Sequence, residues 1–205
     1  MTSRRLHLFF IRAFDILFAS TTLLFLSPLF LFFAVMIVVD SAGKILFCHD
    51  RIGKKGRTFK MLKFRTMVQN FEREVPQYRK NSKGEQEPVI KKRDDERITR
   101  TGRFLRKYSL DELPQLVNIL KNEMSIVGPR PPVPEEFVAY SDYQKKRLET
   151  KPGITGLAQI NGRSDMDFDD IVQLDIQYCK NQCLWLYFQI ILKTIPLVLR
   201  GKSSY

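Results

Sequence analysis

Residues 16–39 read ILFASTTLLFLSPLFLFFAVMIVV, 24 consecutive positions without a charged side chain. As one continuous helix the run would cover about 36 Å at about 1.5 Å per residue, enough to cross the ~30 Å hydrocarbon core of a bilayer. Two features argue against a simple span. Pro28 sits at the middle of the run, where it removes a helical hydrogen bond and forces a bend. The neighbouring Ser27 hydroxyl can return to a carbonyl one turn back and satisfy part of the broken backbone. Both flanks are also basic, with Arg4, Arg5 and Arg12 before the run and Lys44, Arg51, Lys54, Lys55 and Arg57 after it. Positive flanks belong on the cytoplasmic side, and a single span places only one of them there. A helix broken at Ser27-Pro28 that enters and leaves through the same leaflet satisfies both, with arms of about 18 Å each. A cleaved signal peptide is disfavoured: the run exceeds the usual apolar core of ~7–15 residues, and Asp15 stands at its start. The expected fold is α+β, predominantly helical. Residues 1–42 form a membrane re-entrant helix hairpin, and residues 43–205 form a small cytoplasmic domain with interfacial helices.

Composition narrows the partners. Over 205 residues the formal net charge is +12, which favours phosphates, acidic lipid headgroups or nucleic acid. Nucleic acid is the weaker choice, because the charged block at residues 91–97 nearly cancels in sign and carries no interleaved aromatic. Cys48, Cys179 and Cys183 are odd in number and contain no C-x-x-C pair, which argues against a disulfide framework and a structural zinc site. Neither G-x-x-x-x-G-K-[ST] nor G-x-G-x-x-G occurs, so the usual glycine-rich phosphate loops are excluded.

The chemistry-bearing stretch is residues 106–131, RKYSLDELPQLVNILKNEMSIVGPRP. Leu113, Leu116, Val117 and Leu120 fall at i, i+3, i+4 and i+7, one apolar stripe of a helix. Asp111 and Glu112 stand before that stripe, between the basic Arg106 and Lys107 and a Gly128-Pro-Arg130-Pro131 turn. Adjacent acids among fixed cations suit the handling of a phosphate through a divalent metal. The same letters also fit a capping box, Ser109 with Glu112, although Pro114 interrupts a regular helix there.

Around this stretch, residues 45–67 read as a β-hairpin about the glycine turn at residues 53–56, with Phe59, Met61, Lys63 and Arg65 on one face. Residues 70–97 are mixed in charge and predict a helix followed by a surface loop. Arg100, Arg103 and Arg106 recur every three residues, as on a short helix against a lipid or phosphate surface. Residues 151–163 form two glycine turns whose backbone donors, with Gln159, Asn161 and Arg163, can hold the polar edge of a nucleotide. Asp165, Asp167, Asp169 and Asp170 fail the EF-hand spacing and suit a helix N-terminus. Residues 184–199 are apolar but short for a span, and predict an interfacial or packed helix with Trp185 and Tyr187 at headgroup level.

Taken together these pieces resemble the bacterial sugar transferase family, the monotopic polyprenyl-phosphate phosphoglycosyl transferases. Four segments carry the resemblance: KFRTM at 63–67, LRKYSLDELPQ at 105–115, MSIVGPRP at 124–131 and KPGITGLAQINGR at 151–163. The chain is similar to the small form of the family, a catalytic domain with one membrane helix. The resemblance implies transfer of a sugar-1-phosphate from a UDP-sugar to undecaprenyl or a similar polyprenyl phosphate, with release of UMP. It implies that Asp111 is the nucleophile, forming a covalent aspartyl phosphosugar, and that Glu112 helps hold Mg²⁺. It associates Lys63, Arg106 and Arg130 with phosphate, and Ser27-Pro28 with the break of the re-entrant helix. It also implies the cytoplasmic face of the bacterial inner membrane, the first membrane step of a glycan or polysaccharide pathway, and an N-acetylated hexosamine as donor sugar. The alternative is a non-catalytic, membrane-anchored binder of acidic lipid or nucleic acid, in which the Asp-Glu pair is only a cap. The sequence assigns no oligomeric state.

Overall fold

In a computed structural model of the chain, described here over residues 2–68, 78–80, 86–88, 97–162 and 166–200, the apolar run is two helices. Helix α1 spans Thr2–Phe25 and α2 spans Ser27–Asp40, with Leu26 as the joint. The cause is local. Pro28 offers no N–H to the carbonyl of Leu24 four residues back. The Ser27 hydroxyl donates to that carbonyl instead, at 2.8 Å.

Both helices are tied to the rest of the molecule, α1 through its middle and α2 through its C-terminal half. On α1, the Arg12 guanidinium donates to the carbonyls of Ile119 at 2.8 Å and Leu120 at 3.3 Å. One turn on, Asp15 is 1% exposed and accepts from Ser125 Oγ at 2.8 Å, Ile126 N at 3.0 Å and the Tyr187 hydroxyl at 2.6 Å. On α2, Phe33 and Ile37 are buried against Phe64 and Leu105. The Asp40 carboxylate accepts from Thr101 N at 2.7 Å. Arg65 closes the C-terminal end of α2. Its buried guanidinium donates to the carbonyls of Ile37, Ser41 and Ala42 at 3.2, 2.6 and 2.5 Å, a cation where unpaired carbonyls and the helix dipole favour one. Arg65 was expected on the Lys63 face of a strand. It lies one residue past the strand end and serves the helix instead.

The hairpin forms as expected. Strand β1 (Leu46–Ile52) pairs antiparallel with β2 (Thr58–Phe64), with Phe47 opposite Lys63, His49 opposite Met61 and Arg51 opposite Phe59. Two short strands, β3 (Tyr78–Lys80) and β4 (Gln86–Pro88), pair antiparallel. They occupy part of the stretch where a helix and loop were expected, and the rest of that stretch falls outside the described residues. Next come α3 (Arg100–Lys107), a 3-10 turn at Leu110–Glu112, α4 (Gln115–Leu120) and β5 (Ser125–Val127). Three short elements follow: α5 (Pro134–Val138), α6 (Asp142–Lys145) and a 3-10 turn at Lys146–Leu148. Strand β6 (Gly153–Thr155) lies parallel to β5, and α7 (Leu157–Ile160), α8 (Phe168–Asn181) and α9 (Leu184–Leu199) complete the chain. Asp169 and Asp170 stand in the first turn of α8, where negative charge was expected.

The main core gathers Ile11 and Ala19 of α1, Phe59 and Met61 of β2, Leu116 and Ile119 of α4, Val127, Tyr178, Tyr187 and Ile190. Helix α1 therefore gives the core one narrow face, with Ile11, Asp15 and Ala19 buried and Phe9, Leu17, Leu24 and Phe25 exposed. Helix α9 is two-sided as well. Tyr187 and Ile190 are fully buried, whereas Trp185, Phe188, Leu192, Ile195 and Leu199 are exposed at alternating spacings of three and four. The expectation for Tyr187 is corrected: its hydroxyl points inward to Asp15, because a buried phenol needs a partner that headgroup exposure would otherwise supply.

Asp15→Leu leaves three buried donors without an acceptor, at about 1–3 kcal/mol each. The expected cost is about 4 kcal/mol or more, near the top of the range for single substitutions. Asp15→Asn keeps an acceptor oxygen and costs less. Denaturant midpoints in detergent for the two variants test this ordering.

Candidate active site

The site is built where the exit of β2, the end of α3 and the turn before α4 meet. Helix α3 is capped by Thr99, whose hydroxyl accepts from Gly102 N at 3.0 Å, and it crosses the chain at Thr66 in backbone contact. A Cβ on Gly102 would lie 2.2 Å from the Thr66 carbonyl oxygen, so only glycine fits. This close crossing puts Arg106 beside Thr66, and its Nε donates to Thr66 Oγ1 at 2.8 Å.

After α3 the chain reverses through Ser109, which is left-handed with φ 54°. The 3-10 turn then presents Asp111 and Glu112. Pro114 follows at the start of α4, a position where its missing N–H costs nothing. The capping-box reading fails here: Ser109 is not extended and its hydroxyl makes no capping bond. Glu112 turns instead to Lys63, whose ammonium lies 2.6 Å from Glu112 Oε1 and 3.8 Å from Asp111 Oδ2. The expected apolar stripe is split accordingly. Leu116 is buried, Leu113 and Val117 are half-buried, and Leu120 is exposed.

Arg130 enters on the turn after β5, and that turn is fixed by close backbone packing. Gly128 N donates to Thr155 O at 2.8 Å and Gly153 N to Pro129 O at 3.0 Å. A Cβ on Gly153 would fall 2.0 Å from Gly128 N. Gly153 N was among the donors of residues 151–163 expected to be available to a nucleotide. It is spent on joining the two turns. Strand β1 holds the other side of the Arg130 turn, with Ile52 N donating to Pro132 O at 3.0 Å and Arg51 to Pro131 O at 3.3 Å.

Gln159 sits in α7 against the same junction, half-buried, with its Oε1 lacking a hydrogen-bond partner. Asn161 is exposed and its Nδ2 donates to Leu157 O at 2.8 Å, closing α7. Arg163 lies outside the described residues. Lys63, Asp111 and Glu112 are thus brought together directly, Arg106 is held on Thr66 just past the end of β2, and Arg130 is carried by a turn braced against the same hairpin.

Sequence reading missed Arg51, counting it only as a flanking charge. Burial pushes its guanidinium down to about 10, and Arg130 adds to that, against the opposing pull of Glu136, Glu112 and Glu135. His49, two residues earlier on the same face, is also lowered, first by burial and then by Arg51. The period-two alternation of β1 was the available signal. It puts residues 47, 49 and 51 on the Lys63 face.

Among the described residues no group of three His, Cys, Asp or Glu side chains gathers to hold a metal by itself. Mg²⁺ ordinarily takes one or two carboxylates and completes its shell with water and substrate phosphate. Asp111 and Glu112 supply that donor set, hard oxygens on adjacent residues, so the residues fit the ion. Lys63 is the cation they hold otherwise.

The sequence profile described as bacterial sugar transferase matches residues 6–201. The chain belongs to that family. It is 44% identical over 197 residues to the exopolysaccharide production protein ExoY of Sinorhizobium fredii, covering 95% of this chain and 87% of that one. It is 41% identical over 206 residues to the undecaprenyl-phosphate galactose phosphotransferase of Salmonella typhimurium, covering 99% of this chain and 43% of that longer protein. A UDP-N-acetylgalactosamine-undecaprenyl-phosphate N-acetylgalactosaminephosphotransferase of Aeromonas hydrophila is 37% identical over 96% of this chain and 45% of its own length. This sugar transferase therefore contains the segment shared by relatives of about its own size and by relatives more than twice as long.

Lys63→Met removes the ammonium that holds Glu112 and lies beside Asp111. Sugar-phosphate transfer is expected to fall about a hundredfold or more. Turnover at the wild-type rate would refute the role given to Lys63.

Proposed function

We propose that this sugar transferase moves a sugar-1-phosphate from a UDP-sugar to polyprenyl phosphate in two displacements at one carboxylate, releasing UMP. The observation that carries this reading is the Lys63–Glu112–Asp111 cluster, with Arg106 pinned at its edge and Arg130 on the adjoining turn. In the first step Asp111 attacks the sugar-bearing phosphorus and the bond to the bridging oxygen breaks, so that UMP leaves and an aspartyl phosphosugar forms. In the second, an oxygen of the lipid phosphate attacks the same phosphorus. The carboxylate–phosphorus bond breaks, giving the polyprenyl diphosphosugar and restoring Asp111. Neither step requires a proton to be removed from the nucleophile, so no general base is needed.

The obstacle is charge, since an anionic carboxylate must approach an anionic diphosphate. Arg106 and Arg130 offer planar forks to phosphate oxygens, and Lys63 offers a compact point charge. Mg²⁺, held by Glu112 with Asp111, would supply further screening of the phosphate oxygens. Lys63 keeps Glu112 oriented toward the site before substrate arrives.

The membrane reading follows from packing. Ile11 to Asp15 of α1 and Phe33 to Asp40 of α2 dock on one globular body, while Leu24, Phe25, Leu31 and Phe32 are exposed apolar side chains around the break. Docking of both helices on one body supports a hairpin that dips into one leaflet, with its basic flanks on the cytoplasmic side of the inner membrane. The exposed apolar stripe of α9 supports an interfacial position for that helix. Such a placement brings a soluble donor and a lipid acceptor to one headgroup-level site.

The names of the relatives support a galacto-configured donor, UDP-galactose or UDP-N-acetylgalactosamine. The non-catalytic binder has no specific observation in its favour, since the cap it requires is not formed.

UMP release from these two donors, set against UDP-glucose and UDP-N-acetylglucosamine, tests the reading. Asp111→Asn should release no UMP and trap no phosphosugar on protein, whereas full turnover would exclude Asp111 as nucleophile. Chelation should abolish turnover, and added Mg²⁺ restore it. Single cysteines placed at Ser3 and at Lys44 should both be labelled from the cytoplasmic face; opposite-side labelling would convert the hairpin into a span.

A further inference from the structure

The transfer mechanism uses three cations, Lys63, Arg106 and Arg130. Arg51 is a fourth that nothing above requires. Its position is set by register: with Phe47 opposite Lys63 and Arg51 opposite Phe59, residues 47, 49 and 51 of β1 share the face of the hairpin that carries Lys63. The side chain is half-buried and reaches the turn of Arg130, where it holds the Pro131 carbonyl.

Its surroundings differ from those of the two arginines that are plainly structural. Arg65 satisfies three carbonyls at the end of α2. Arg147 is held by Asp175 and the Tyr140 hydroxyl. Arg51 makes one long bond of 3.3 Å to a neutral carbonyl and, among the described residues, no ion pair. A guanidinium has five N–H donors in a planar fork, so most of its capacity is unspent. The turn it holds is the one that carries Arg130, whose exposed guanidinium acts on it as a like charge, and the carboxylates of Glu112, Glu135 and Glu136 act on it without forming an ion pair. Beside it the buried Nδ1 of His49 also lacks a partner. A half-buried guanidinium with most of its donors unspent, braced on the turn of Arg130 and without an ion-paired carboxylate among the described residues, describes a site completed by an external anion.

We propose that Arg51 is a further substrate-binding residue, which with Arg130 grips a phosphate of the reactants from the β1 side of the site. This rests on the transfer reaction proposed above. The phosphate can belong to the nucleotide diphosphosugar or to the polyprenyl phosphate, and kinetics distinguishes them.

The test uses the full chain in detergent or nanodiscs, with Arg51→Gln and Arg51→Lys. Inorganic pyrophosphate serves as a competing anion in the UMP-release assay. In Arg51→Gln its inhibition constant should rise about ten- to a hundredfold, the scale of a lost charge-assisted bond. The KM of one reactant should rise with it: the UDP-sugar if the donor is held, the polyprenyl phosphate if the acceptor is. Arg51→Lys keeps a donor for Pro131 and the charge but loses the fork, so it should fall between wild type and Arg51→Gln. It also serves should Arg51→Gln fail to fold. Unchanged KM values and an unchanged pyrophosphate constant, with only kcat or thermal midpoint reduced, would overturn the proposal and leave Arg51 as a brace for the turn. A wild-type chain that releases no UMP from any of the four donors would instead overturn the underlying reaction.

Discussion

Three donors from β5 and α9 converge on the carboxylate of Asp15, which sits at the start of a run otherwise suited to lipid. A carboxylate that is 1% exposed must be satisfied by protein, because the desolvation cost has no other compensation. That requirement turns one face of α1 inward and anchors it against the element leading to Arg130. Arg12, one turn earlier, fastens the same helix to the end of α4, whose other end follows the Asp111–Glu112 turn. The apolar helix pair and the reactive residues are therefore parts of one packed unit.

The site itself is assembled by close approaches rather than by long regular elements. Gly102 lets α3 cross at Thr66, and Gly128 with Gly153 lets two turns share hydrogen bonds. The result is one cation, Lys63, held against two carboxylates, with Arg106 and Arg130 carried on short, braced segments. Preorganisation of this kind matters for phosphoryl transfer, where positioning and charge stabilisation supply most of the catalysis. The same bracing takes Gly153 N out of reach of a substrate, since it is already committed to Pro129 O.

Much of this was legible in the letters. The helix break at Ser27-Pro28 follows from a missing donor and a hydroxyl that replaces it, both local effects. The β1–β2 hairpin follows from alternation around a glycine turn, and α8 from acids at its first turn. The cluster of Lys63, Arg106, Asp111 and Glu112 was assembled through family resemblance, since spacing alone left a capping box equally possible. Ser109 decided that question, and its left-handed backbone is set by how α3 and the following turn pack.

What the sequence determined by itself was therefore local: where a helix must stop, which strand face carries charge, and which side chains have the chemistry for phosphate. Only the tertiary structure decided which of those charges work together. Arg65 and Arg51 both read as generic basic residues, yet one is consumed by carbonyls at the end of α2 and the other reaches the turn that carries Arg130. Tyr187 read as a headgroup residue and became the partner of Asp15, which lies 172 positions away in the chain. Hydrogen-bond satisfaction of buried groups is a long-range condition, and no window of local sequence contains both halves of it.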